Sequence, residues 1–256
     1  MNFKRGTKLY TSALKKIPGG VQLLSKKPEI YLPDLWPSYY KSAKGSEITT
    51  LDNKKLYDFT NCSVGMCPLG YSNQHVNKAV IDTIKKGNVS TLNSYLEVDC
   101  AKTILDLHKW AHMAKFTKSG GEAMSVAVRI ARAYSNKDKI LFCGYHGWHD
   151  WYISANLKDK SRLNKHLLPG VSSSGIPKIL KNTSIPFEFN NIYDFEKKFF
   201  NNLKSLSCVV LEPARSNHPK ISFLKKIRHY CTKFNIPLIF DEITLGWHCT
   251  LGGFDL

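Results

Sequence analysis

The run Phe116-Thr117-Lys118-Ser119-Gly120-Gly121-Glu122-Ala123 is a loop of small residues that opens directly into an apolar-periodic stretch. At a helix start the first backbone N–H groups have no carbonyl partner, and the helix dipole adds partial positive charge there. Glycine lets an anion approach that backbone closely, so the loop suits a phosphate. Taken alone, such a loop is more often only a turn before a helix.

Pro237-Leu238-Ile239-Phe240-Asp241-Glu242 sets two carboxylates at the end of an apolar run that reads as a buried strand. A carboxylate in that position is costly unless a cation or hydrogen-bond donors meet it. Either a protonated ring nitrogen of a ligand or the start of the next helix could do so. Between these motifs lie Gly144-Tyr145-His146-Gly147-Trp148 and Leu211-Glu212-Pro213. His146, His149 and Asp150 are three possible metal ligands, but no matching pair completes a set, and Cys62 and Cys67 are far away in sequence. Trp148 and Trp151 read as packing or substrate-wall residues, and Cys143, Cys208 and Cys231, each in an apolar run, as core thiols. A nucleophile elbow, a dinucleotide glycine fingerprint and a Walker loop are all missing from the sequence.

The elements that must position these groups are legible from periodicity. Residues 1 to about 45, with several Pro and aromatic residues and little period, read as an arm. Glu47 to Phe59, around Asp52-Asn53, reads as a hairpin. Val76, Ala79, Val80 and Ile84 share one helical face, with Ser72 or Asn73 as the cap. Ala123, Val126, Ala127, Ile130, Ala131 and Tyr134 form a second such stripe directly after the glycine loop. Lys139 to Cys143, Cys208 to Leu211 and Pro237 to Asp241 are strand candidates. Alternation of helix and strand implies an α/β fold with a mainly parallel sheet covered on both faces, and a ligand beyond the carboxyl ends of its strands. The expected division is 1-69 as arm and small-lobe segment and 70-256 as the large domain.

A length of 256 residues accommodates such a domain with a small lobe. The formal charge of +17 comes from lysines spread along the chain, as at Lys15-Lys16, Lys85-Lys86 and Lys225-Lys226, which fits a solvated surface better than a polyanion-binding face. No nucleic-acid partner is expected. Neither a bilayer-spanning run nor a signal-peptide block is present, so the reading is no membrane and a cytoplasmic location. Seven cysteines without dense spacing fit reduced thiols.

In chain order, Ser119-Gly120-Gly121-Glu122-Ala123, Gly144-Tyr145-His146-Gly147-Trp148, Leu211-Glu212-Pro213 and Ile239-Phe240-Asp241-Glu242 resemble the class III aminotransferases that use pyridoxal 5'-phosphate (PLP), in particular the glutamate-1-semialdehyde 2,1-aminomutase-like members. The resemblance runs from about Gly19 to the last residue. It implies the PLP-dependent transferase fold type I, a mainly parallel sheet large domain with part of a small N-terminal lobe. It also implies transfer of an amino group from a small-molecule amino donor to a carbonyl acceptor, in a homodimer. By the same resemblance Gly120 and Gly121 hold the phosphate through backbone N–H groups, with Ser119 shaping the loop. Tyr145 stacks on the pyridine ring with His146 and Gly147 completing that wall, Asp241 pairs with the pyridine nitrogen, Ile243 packs on the other ring face, and Glu212 lines the reacting centre. This chain departs from the family pattern at Lys118 and Gly121, where members often carry Asn and a hydroxyl residue, so one side-chain bond to phosphate is expected to be missing. The Schiff-base lysine follows the Asp-Glu strand by a further strand in the family and is expected beyond Leu256. On that reading the 256-residue chain alone is inactive. A non-catalytic protein that binds PLP or a partner, and an unrelated basic α/β binding protein, are the alternatives.

Overall fold

The computed structural model describes residues 3–60, 65–166, 170–214, 217–248 and 250–254, so Cys62, Asp255 and Leu256 lie outside the described residues. The chain forms two compact units, Met1–Ser94 and Tyr95–Leu256. The lobe expected over 1-69 lies in the first unit, which extends further to Ser94.

In the first unit, helices α1 (Lys4–Ala13) and α2 (Pro28–Tyr31) precede a three-stranded antiparallel sheet of β1 (Tyr40–Lys44), β2 (Glu47–Thr50) and β3 (Lys55–Tyr57). The expected hairpin is β2–β3, in register Glu47↔Tyr57 and Thr49↔Lys55. Its turn is closed by Lys54 N donating to Thr50 Oγ1 (3.1 Å), and Asn53 takes the left-handed conformation that asparagine tolerates. The arm is more ordered than its sequence indicates, since it contains α1 and contributes β1. Helix α3 (Gln74–Lys85) starts at Asn73, whose side chain accepts from His75 N and Val76 N. Asn73, not Ser72, is the cap.

The second unit carries α4 (Tyr95–Leu107), α5 (Gly120–Ser135), β4 (Lys139–Cys143), α6 (Asp150–Ile153), β5 (Ser184–Pro186), α7 (Ile192–Asn202), β6 (Leu206–Leu211), α8 (Ile221–Lys233) and β7 (Leu238–Phe240). The four strands form a parallel sheet in the order β5-β4-β6-β7, as the alternation of elements requires. The three sequence-read strands all form. The fourth, β5, is only three residues long and ends on Pro186, which explains why no apolar run announced it.

Strand alternation sorts the core into two layers. Ile140, Phe142, Cys208 and Val210 face α5 and α6, packing against Met124, Val128, Ala131, Trp151 and Tyr152. Leu141, Cys143, Val209 and Leu211 face α7 and α8, against Phe195, Phe199, Leu224 and Ile227. Full burial of each such side chain stabilises by about 1.5–3 kcal/mol before entropy is counted. Of the expected apolar stripe of α5, Ala131 is buried and Ala123 and Ala127 are half-buried, but its large members point elsewhere. Val126, Ile130 and Tyr134 are exposed, and the buried face is Met124, Val128 and Ala131.

Candidate active site

Every sequence-read site residue lies at the carboxyl end of the parallel sheet or at the N-terminus of α5. Ser119 caps α5 through a reciprocal box: its hydroxyl accepts from Glu122 N (3.3 Å), while the Glu122 carboxylate accepts from Ser119 N (3.1 Å) and Lys118 N (2.8 Å). The Ser119 hydroxyl is therefore engaged in holding the helix start. The next two N–H groups, of Gly120 and Gly121, have no acceptor among the described residues, as expected at the first turn of a helix.

Both glycines are needed for space. A Cβ on Gly120 would lie 2.4 Å from Ile243 Cδ1, and one on Gly121 would lie 2.6 Å from His149 Cε1. The start of α5 is thus held between the segment that follows Asp241 and the segment that follows His146. This packing brings the glycine loop, the His146 turn and the Asp241 strand end to one place.

Asp241 and His146 are both almost fully buried, with Asp241 Oδ2 and His146 Nδ1 2.8 Å apart. The other imidazole nitrogen, Nε2, lies 3.2 Å from the Cys143 carbonyl. Both ring nitrogens face protein oxygens, so the imidazole is held in place from both sides. The second Asp241 oxygen accepts only a longer bond from Ile243 N (3.2 Å) among the described residues. Both nitrogens point at protein oxygens, and among the described residues His146, His149 and Asp150 do not come together as a metal-binding group.

Glu212 continues from β6, its N–H donating to the Cys143 carbonyl (3.0 Å) and its carboxylate accepting from Tyr145 N (2.8 Å). Gly144 makes this possible: its φ is +115°, and a Cβ there would sit 2.6 Å from Glu212 Oε2. Tyr145 meets Tyr152 edge-on, with centroids 6.1 Å apart. Beside them His166 accepts from Gly144 N at Nδ1 (3.3 Å), and burial, then the positive charge of His146, push its pKa down to about 4. It is a neutral imidazole near pH 7. Burial, reinforced by the charge of Glu212, raises the Cys143 thiol far above its ordinary range.

Tyr145 and Glu212 line a cavity of ≈ 410 Å³ together with Gly144, His166, Lys165 and Glu188. None of Ser119, Gly120, Gly121, Asp241 or Ile243 lines it. The site residues therefore form two adjoining groups, one around the start of α5 and one around Tyr145. Lys165 was not singled out in the sequence. Its ammonium contacts the Glu188 carboxylate at 2.7 Å, and this hydrogen bond raises its pKa, so the amine is protonated at neutral pH. Ile243, read from the sequence as a ring-packing residue, is largely exposed, with its side-chain end over Gly120.

Helices on both faces of a parallel sheet, with a glycine loop at a helix N-terminus and a buried carboxylate at a strand end, define the class of fold and site seen in aminotransferases. The aminotransferase class-III family model matches residues 34–254, and the chain belongs to that family. It is 37% identical to a glutamate-1-semialdehyde 2,1-aminomutase of Wigglesworthia glossinidia brevipalpis, over 96% of this chain and 57% of that protein. It is 28% identical to a 3-aminobutyryl-CoA aminotransferase of Cloacimonas acidaminovorans (strain Evry), over 99% of this chain and 58% of that protein. Among solved structures, a transaminase with PLP bound superposes with a TM-score of 0.82 at 24% identity, covering 95% of this chain and 56% of that one. A glutamate-1-semialdehyde aminomutase from Pseudomonas aeruginosa PAO1 gives 0.73 at 20%, covering 93% and 51%. The α/β fold is thus that of the PLP-dependent aminotransferases. The chain spans little more than half the length of the relatives it matches.

Proposed function

We propose that this chain forms the cofactor-holding part of a PLP-dependent aminotransferase or aminomutase, which moves an amino group from a small-molecule donor to a carbonyl acceptor in the cytoplasm. The observation that carries this reading is a buried carboxylate, Asp241, packed through Ile243 against a helix start whose Gly120 and Gly121 N–H groups have no acceptor among the described residues. A ligand with a phosphate at one end and a protonated ring nitrogen at the other answers both demands. Bound there, PLP supplies an electron sink for chemistry at the carbon that bears the amino group.

The chain's own residues hold and orient that ring. Gly120 and Gly121 donate to the phosphate, and Ser119 fixes the loop through its cap. Asp241 would pair with the pyridine nitrogen, and His146, bonded to Asp241 on one side and to the Cys143 carbonyl on the other, fixes the carboxylate's orientation. Tyr145, held at its N–H by Glu212, and Ile243 would pack against the ring. Glu212 lines the polar side of the reacting centre. Lys165, charged and paired with Glu188, is unsuited to act as an amine nucleophile. The names of the relatives make glutamate-1-semialdehyde and an acyl-CoA amine the first substrates to try.

Fluorescence titration of the 256-residue chain with pyridoxamine phosphate tests the reading. Gly120→Val, which drives side-chain bulk into Ile243 and over the two N–H groups, and Asp241→Ala should each weaken binding at least about tenfold, as removal of a charge-assisted contact does. Unchanged affinity in both variants would overturn the assignment.

A further inference from the structure

Next to His149, α5 and the Trp148–Trp151 segment line a second, open cleft of ≈ 590 Å³. One wall is a single face of α5, carrying Ser125, Arg129 and Arg132 one helical turn apart. The other wall is Trp148, His149 and Trp151, with Asp150 adding a carboxylate. None of the residues assigned to the cofactor lines this cleft.

Its lining is rich in unmet hydrogen-bonding groups. Arg132 Nη2 and Trp151 Nε1 are both withdrawn from solvent and have no hydrogen-bond partner among the described residues, while the unpartnered His149 Nδ1 sits against Gly121 and Gly147. Trp151 itself is only 5% exposed, and its indole nitrogen can act only as a donor. Arg132 uses Nε on the Asp138 carbonyl (3.1 Å), which anchors its guanidinium and leaves the far nitrogen unsatisfied. Ser125 donates to the Gly121 carbonyl (2.9 Å) and adds no further donor. A desolvated, unpaired donor costs about 1–3 kcal/mol, so a protein rarely leaves several around one cleft.

We propose that this cleft is a second ligand site, specific for an oxyanion, either a phosphate or a carboxylate. The guanidiniums of Arg129 and Arg132 supply the counter-charge, and Trp151 Nε1–H supplies a directional donor. Two guanidiniums against one carboxylate, Asp150, give the cleft a net positive charge that favours an anion. Occupancy satisfies donors that the fold leaves unpaired, and it sets the ligand against the back of the helix whose N-terminus is assigned to the cofactor.

The test follows the indole N–H resonances of chain labelled with ¹⁵N-tryptophan, with Trp151 assigned by loss of its peak in Trp151→Phe. Inorganic phosphate and acetate, titrated separately, distinguish the two sources of oxyanion. One or both should shift the Trp151 peak saturably. The Arg129→Gln/Arg132→Gln double variant should weaken that binding at least about tenfold. Arg129→Gln alone, an exposed change that does not disturb the Asp138 contact, should weaken it roughly threefold or more. Gly120→Val should leave the shift in place, which separates this site from the cofactor loop whether or not the loop binds PLP. The proposal is overturned if neither anion moves the Trp151 peak, if the double variant retains the affinity, or if Gly120→Val abolishes the shift.

Discussion

The His146–Asp241 pair offers the sharpest energetic test of the site. At 2.8 Å the two buried groups share a hydrogen bond, and whichever partner remains after a single substitution is left desolvated and unpaired. Asp241→Ala leaves His146 Nδ1 without its hydrogen-bond partner, and His146→Ala leaves a buried carboxylate with the Ile243 N–H as its remaining donor among the described residues. Each should cost about 3 kcal/mol, within the 5–15 kcal/mol stability of an ordinary domain. Removing both side chains leaves neither group unpaired, so the double variant should lose little more than either single one. The resulting coupling energy is expected at about 2–3 kcal/mol. Urea unfolding at pH 7, followed by tryptophan fluorescence, measures all four corners of the cycle. Additive losses, with coupling below about 0.5 kcal/mol, would refute the buried hydrogen bond and with it the role given to His146 in orienting Asp241.

His166 should make stability pH-dependent: its folded pKa of about 4 lies below the ordinary value near 6.5, so the unfolded chain binds the extra proton between those values. Stability should then fall as pH drops from 6.5 toward 4, by up to about 3 kcal/mol, with no contribution above 6.5, and His166→Gln should flatten that limb in urea melts. Burial raises the thiol pKa of Cys143, of Cys208 to about 11 and of Cys231 to about 12, while Cys100 is exposed. Iodoacetamide at pH 8, mapped by mass spectrometry, should label Cys100 and spare the other three until urea is added; rapid native labelling of Cys143 would contradict the packing of β4. The exposed Val126, Ile130 and Tyr134 along α5 favour self-association, and sedimentation at micromolar concentration should show a species larger than one chain.

How far the sequence led depended on the range of the interaction. The start of α5 was readable because a loop of small residues runs directly into an apolar-periodic stretch, whereas its capping box was not read. Three strands were readable as β-branched and aromatic runs. Helix α1 was not, because Lys4–Ala13 buries only Gly6 and Ala13 and so carries almost no apolar face. The large members of the α5 stripe were misplaced because apolar residues occur on two sides of that helix, and period alone does not tell which side meets the sheet. Asp241 was legible as a carboxylate in need of a partner, but His146 stands 95 residues away, and no local signal couples them. Lys165 and the two arginines of the second cleft were passed over among many cations, because only folding showed which were brought against a cavity.

Gly144 has a consequence for how this surface can diversify. With a left-handed backbone and Glu212 pressed against its Cα, position 144 admits no other residue without displacing the carboxylate that holds Tyr145. Gly147, also left-handed and backed by the Gly121 backbone, is closed for the same reason. Between and beyond these two pivots the chain has unequal latitude. His146 is locked at both ring nitrogens, whereas Trp148 is exposed. A library built on this scaffold to change ligand preference should therefore hold 144 and 147 constant and randomise 148. Selection is expected to return variation there and glycine at the two pivots, so that new specificity enters through the one side chain of the turn that the sheet does not constrain.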